Sequence, residues 1–180
     1  VKGAPQNSFF PCQGAAADAL TNRSDRGIFN INNDQKRGAA VRQKYSEQCF
    51  PLLRDFLGYM EVVKGRSVNT VEEYFVDLRT FFRFMKQWRG LVPKDADPED
   101  IAIKDITIDF IRTITLQDVY EYMGYVKSDR ENHARALARK ACSLRVFFRH
   151  LTNYTHQLDS NPVLNLDTPK TRKALPKYLT

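Results

Sequence analysis

Residues 134–151, ARALARKACSLRVFFRHL, hold five Lys and Arg and no Asp or Glu. With Leu137 at the origin of a helical wheel of about 100° per residue, Ala141, Leu144, Phe148 and Leu151 fall within roughly 40° of it. Arg135, Arg139, Ser143, Arg149 and His150 fall on the opposite side, and Lys140 and Arg145 stand at its edges. Guanidinium groups in such a row neutralise phosphates or fork onto the acceptor edge of guanine in a major groove. Ser143 is small enough to let a backbone approach, and the long stems of Lys140 and Arg145 reach sideways. The ordinary reading of a charged helix face is solvation, but a solvated face normally mixes signs for internal pairing. A face of cations alone points to a polyanion. His150 belongs to the same polar side, where a plain surface histidine is the default and a phosphate contact the sharper reading.

Other chemistry is thin. The sequence has no GxxxxGK phosphate loop, no GxGxxG, no HExxH and no GxSxG. His133, His150 and His156 lack metal-like spacing to Cys or carboxylates. Asp95, Asp97, Glu99 and Asp100 cluster, but without a glycine at the turn or an apolar frame they read as a solvated loop. No catalytic residue, metal site or cofactor is expected. Cys12, Cys49 and Cys142 are odd in number and form no CxxC pair, which fits a reducing compartment rather than a disulfide scaffold.

Charge is unevenly spread. Residues 1–90 carry 14 Lys and Arg against 9 Asp and Glu, residues 91–129 carry 4 against 9, and residues 130–180 carry 10 against 3. A basic last third beside an acidic middle implies a directed field and an acidic partner. No apolar run approaches the roughly 18 residues of a membrane span, so no membrane partner is expected. The chain opens on Val rather than Met, as a processed product or a fragment would.

The elements that would position the cations follow from periodicity. Residues 1–45 hold four of the eight glycines and no sustained period, and are expected to be a disordered tail. Pro51 suits a first helical position, and Leu52, Leu53, Phe56, Leu57, Met60 and Val63 form one stripe ending at Gly65. Asn69 or Ser67 caps a second helix; with Asn69, Glu72 takes the reciprocal position. Val71, Tyr74, Phe75, Leu78, Phe81, Phe82 and Met85 continue it to Gly90. The start of that helix, beside Arg66, Asn69 and Thr70, offers free backbone N–H groups to a phosphate; helix capping alone would also explain Asn69 and Thr70. Ile101, Ile103, Ile106, Ile108 and Ile111 alternate as a strand would. With helices on both sides and no partner strand, they are expected instead as an extended segment or a short helical turn. Thr115-Leu-Gln-Asp118 opens a third main helix, and the basic helix is the fourth. Pro169 to Lys177 is basic and proline-punctuated, as an extended linker would be. The expected architecture is all-α, a compact four-helix bundle over residues 46–168, followed by a linker over 169–180.

Gly65-Arg-Ser-Val-Asn-Thr-Val-Glu-Glu-Tyr, Asp77-Leu and Phe81-Phe-Arg-Phe resemble the early block of tyrosine recombinases of the phage-integrase and Xer type. Ile114-Thr-Leu-Gln-Asp-Val-Tyr-Glu-Tyr is similar to their third-helix opening, and Ala138 to Leu151 to their fourth helix. Asn161-Pro, Pro169-Lys and Leu175-Pro-Lys-Tyr-Leu-Thr resemble the exit toward their catalytic domain. The resemblance implies a SAM-like core-binding domain, half of a clamp around DNA, whose second and fourth helices approach a recombination half-site. It assigns DNA contact to Asn69, Thr70, Tyr74, Arg139, Lys140, Ser143 and Arg145; Arg66 comes from the helix start, and Arg135 and Arg149 from the wheel. Tyr74 also lies on the apolar stripe, where it could be core. The family's catalytic H-x-x-R is missing: three residues after the histidines stand Ala136, Asn153 and Asp159. Tyr178 precedes the point where a catalytic domain would begin, and residues 1–45 match nothing in the family. The function implied is that of a DNA-binding part of a site-specific recombinase, itself not an enzyme, in the bacterial cytoplasm at the nucleoid. Its partners would be double-stranded DNA and further recombinase protomers. The alternative is a helical module docking an acidic protein through its basic helix.

Overall fold

A computed structural model describes residue 43 and residues 47–128 and 134–167. The expected tail over 1–45 (residue 43 apart), the stretch 129–133 before the basic helix and the linker over 169–180 lie outside the described residues.

Helix α1 spans Pro51–Gly58, with Pro51 in the first turn, where a missing N–H costs no hydrogen bond. Its apolar stripe buries Leu53, Phe56 and Leu57. The expected single helix to Gly65 changes character at Tyr59: Tyr59–Val63 winds as a wider π-helix. The Lys64 N–H reaches the Tyr59 carbonyl at 3.0 Å and the Arg66 N–H the Met60 carbonyl at 3.0 Å. Gly65 closes it at φ 59°, a left-handed conformation that a side chain would strain.

Helix α2 spans Val68–Trp88. Of the two candidate caps the structure uses Ser67, whose Oγ accepts from the Thr70 N–H at 3.4 Å. Asn69 lies inside the first turn, so the Asn69–Glu72 capping box does not form. Val71, Phe75, Leu78, Phe81, Phe82 and Met85 are all buried, the three- and four-residue spacing of one apolar face.

The isoleucine-rich stretch is irregular from 101 to 107 and then forms a short helix α3, Ile108–Arg112. Ile101, Ile103, Ile106, Ile111 and Ile114 are buried, and no strand occurs among the described residues. Helix α4, Leu116–Ser128, opens on the expected reciprocal cap. The Thr115 N–H donates to Asp118 Oδ2 at 2.9 Å, and the Asp118 N–H donates back to Thr115 Oγ1 at 3.3 Å. Helix α5 spans Ala134–Arg149 and runs into a second π-helical stretch, His150–Tyr154.

The core is aromatic. Phe50, Phe56, Phe81, Phe82, Phe147 and Phe148 are fully buried and meet edge to face, with Phe50–Phe82 centroids at 4.9 Å and Phe56–Phe147 at 5.3 Å. That geometry sets the positive rim of one ring against the negative face of the next. Beyond α5, Leu158, Val163 and Leu166 are also buried, and Asn161 Oδ1 accepts the Val163 N–H at 3.0 Å to turn the chain. No helix among the described residues is long and apolar enough to cross a membrane.

Candidate nucleic-acid interface

Helices α2 and α5 form the frame of the site, and side-chain pairs show their register. Glu73 meets Arg139, Asp77 meets Ser143, and Phe82 meets Phe147 at 5.7 Å. Both numbers rise together, so the helices run in the same direction along their contact. Their N-terminal turns therefore emerge at one end, where positive dipole ends favour anions.

Where the wheel places an open cationic face, the structure places a buried polar seam. The Asp77 side chain, 1% exposed, receives three donors from α5. Arg139 Nη1 reaches Oδ2 at 2.8 Å, Lys140 Nζ reaches Oδ1 at 3.1 Å, and Ser143 Oγ reaches Oδ2 at 2.7 Å. A buried carboxylate is tolerable only with such partners. Lys140 and Ser143 are themselves buried, at 6% and 1%. The expectation that they face a groove is corrected: they face Asp77. Arg139 lies at the rim of the seam, its side chain 41% exposed, with a second ion pair to Glu73.

His150 is corrected in the same way. It is 5% exposed, with ring centroids 4.5 Å from Tyr59 and 5.4 Å from Phe56. Burial pushes its pKa below the usual histidine value, with Asp55 opposing, and Nδ1 has no hydrogen-bond partner among the described residues. Lys64 Nζ caps the same cluster, 5.5 Å from the Tyr59 ring centre and 5.4 Å from that of Tyr154.

The wheel misplaced these side chains because α5 is covered on more than one side. Lys140, Ser143, Phe147 and His150 occupy one flank, buried against α1 and α2. The other flank carries Arg135, Ala138, Cys142, Arg145 and Arg149, all exposed or half-buried. Three cations and two small side chains at helical spacing make this the open face of the helix. Arg145 also donates to the Leu166 carbonyl, which ties the C-terminal turn to α5. At the start of α2, Arg66 before the cap and Asn69 in the first turn are exposed and Thr70 is half-buried, its hydroxyl 2.9 Å from Ser67 Oγ. Tyr74 is half-buried with its ring edge to face with Phe56 at 5.9 Å, which supports the core side of its double reading.

Two carboxylates of the acidic middle pair with the opposite part of α2. Glu99 pairs with Arg83 at 2.7 Å and with Arg79 at 3.7 Å, and Asp105 holds buried Lys86 at 2.8 Å. That hydrogen bond, the largest influence, helps hold the Asp105 carboxyl below its ordinary range. Among the described residues no group of three or more His, Cys, Asp and Glu could hold a metal ion.

Asp77 and Glu73 escaped sequence reasoning as site residues. The available signal is an Asp one position from Leu78, beside the apolar stripe of α2: a carboxylate at the edge of a core-facing stripe needs donors from the helix opposite when it is buried.

Comparison with known proteins bears on the same elements. Residues 53–106 match the family model described as phage integrase, N-terminal SAM-like domain. The chain is 42% identical over 130 residues to a protein named tyrosine recombinase XerC from Caldanaerobacter subterraneus subsp. tengcongensis, covering 72% of this chain and 37% of that one. It is 31% identical over 128 residues to a tyrosine recombinase XerD from Listeria monocytogenes serotype 4b, covering 71% and 37%. A XerC from Chlorobaculum parvum is 28% identical over 129 residues, covering 71% and 34%. The chain thus spans little more than a third of the length of these relatives. No solved structure matches.

Proposed function

The helical domain is a tyrosine recombinase core-binding domain of the phage-integrase N-terminal SAM-like type, and we propose that it grips a recombination half-site in duplex DNA. The observation that carries the reading is the pair of parallel helices whose N-terminal turns share one end, with exposed Arg66 just before α2, exposed Asn69 in its first turn and exposed Arg135 on α5. Arg149 and half-buried Arg145 extend the cationic flank along α5. Phosphate neutralisation supplies most of the affinity, and Arg139 at the rim of the seam is the side chain best placed to test a base edge.

The strand-transfer activity of a whole recombinase comes to this protein as a proposal from its relatives' names; no residue of the described domain is assigned to it. Further recombinase protomers on the same DNA and a nucleoid location in the bacterial cytoplasm belong to the same proposal, as do the domain limits at 46 and 168.

The test is a fluorescence titration of the 180-residue chain on duplex DNA over a range of salt. Log affinity is expected to fall linearly with log salt, with a slope of about −0.9 for each phosphate neutralised. Salt-independent binding rejects the proposal. No binding at low salt also rejects it, and leaves the alternative of a basic helix that docks an acidic protein.

A further inference from the structure

The junction of α2 and α5 carries an apparent contradiction. Arg139 and Lys140 are two of the cations that make the basic helix basic, yet they meet two carboxylates, Asp77 and Glu73, so the junction has no net charge. Asp77 is needed there: it is buried and satisfies Lys140 and Ser143 as well as Arg139. Glu73 is different. Its side chain is 59% exposed, and its only partner among the described ion pairs is Arg139, through the same Nη1 that Asp77 holds. A solvent-exposed carboxylate adds little to stability there, and it sits one helical turn from Asn69 and Thr70, on the half of α2 that would approach DNA.

We propose that Glu73 is a specificity-determining residue that keeps Arg139 from acting as a general phosphate anchor. The inference rests on the DNA-binding reading above. A phosphate reaching for Arg139 meets a like charge at contact distance and must compete for a guanidinium already held twice. A base edge does not meet that penalty. An amino group of cytosine or adenine can donate to Glu73, and acceptors of guanine can take Arg139, so the ion pair presents a donor and an acceptor side by side. Glu73 thus lowers affinity for the backbone and leaves affinity for matching edges. Specificity here comes from an element that repels the wrong contact as well as from one that attracts the right one.

The experiment compares the full chain with Glu73→Gln, Arg139→Gln and the double variant on a duplex of mixed sequence, across salt. Glu73→Gln should bind this duplex about two- to fivefold more tightly, the range of an exposed ion pair, and its salt slope should steepen by about 0.9, one more phosphate. In the Arg139→Gln background the same substitution should change neither the affinity by more than the general charge effect nor the slope. Selection from a randomised duplex pool should return a less restrictive consensus for Glu73→Gln than for the parent. If the parent binds duplex and Glu73→Gln binds it equally or more weakly, the inference fails while DNA binding stands. If the gain persists in full without Arg139, the effect is bulk charge and the inference again fails. If the parent chain does not bind duplex at low salt, the DNA-binding reading fails and takes this inference with it.

Discussion

The two halves of α2 solve opposite problems with the same kind of bond. Toward its N-terminus a buried anion, Asp77, gathers cations and a hydroxyl from α5. Toward its C-terminus a buried cation, Lys86, is held by Asp105 and by the Ala102 carbonyl at 2.8 Å, in the acidic segment. The difference lies in the partners. Those of Asp77 include two side chains that are themselves buried, whereas Asp105 is 68% exposed. Loss of Asp77 strands a charge inside the protein, but loss of Lys86 leaves a carboxylate that water can take. Of the five cations on α5, Arg139 and Lys140 are thus held by carboxylates of α2, and Arg135, Arg145 and Arg149 form the row on its open face.

The most direct way to break the comparison is Asp77→Ala. It should destabilise the domain by about 3–5 kcal/mol, because Lys140 remains buried without its counter-ion; chemical denaturation measures it, and adding Lys140→Met should recover part of the loss. Lys86→Met should cost less, about 1–2 kcal/mol for the lost charged hydrogen bonds. An equal cost for the two variants would show that exposure of the surviving partner does not matter.

Asp118→Ala sharpens the point at a third carboxylate. Burial is the largest influence on Asp118 and raises its pKa, but hydrogen bonds from Thr115 and the Arg89 guanidinium together hold it below the ordinary aspartate value. Its contribution is thus present above the unfolded pKa near 3.9 and is lost as pH falls through the lower folded value. The substitution should cost about 1 kcal/mol at neutral pH, as the loss of a cap does, and should flatten the acid limb of a stability–pH curve.

His150 runs at higher pH. Its folded pKa lies below the unfolded value near 6.5, so the unfolded chain takes up the proton first and stability falls as pH drops below that value. His150→Phe should remove that slope below the unfolded value near 6.5, as read from melting temperatures. Finally, Arg135→Ala should change stability by no more than about 0.5 kcal/mol while reducing the salt slope of duplex binding by about 1. An unchanged slope would remove Arg135 from the interface.

Much of the fold was legible. The stripes of Leu53-Phe56-Leu57 and Phe75-Leu78-Phe82 predicted α1 and α2, because a surface helix must bury a repeating face. The Thr115–Asp118 box predicted the start of α4, because orphan N–H groups need acceptors. The isoleucines of residues 101–111 form no strand, and none occurs among the described residues, since a single strand would have no partner. The candidate site was legible only in outline. Arg66, Asn69, Arg135 and Arg149 lie on the surface as expected, whereas Lys140, Ser143 and His150 do not.

The residues themselves determined that this chain forms amphipathic helices, where they start, and that cations crowd the last of them; these are local properties of spacing and capping. Tertiary structure decided which cations remain available. A helical wheel assumes one buried face, but α5 lies against both α1 and α2, and the buried arc widens until it takes in Lys140, Ser143 and His150. Whether a lysine there is a ligand for DNA or a partner for Asp77 depends on a residue 63 positions away in the sequence. Only packing brings the two within 3.1 Å.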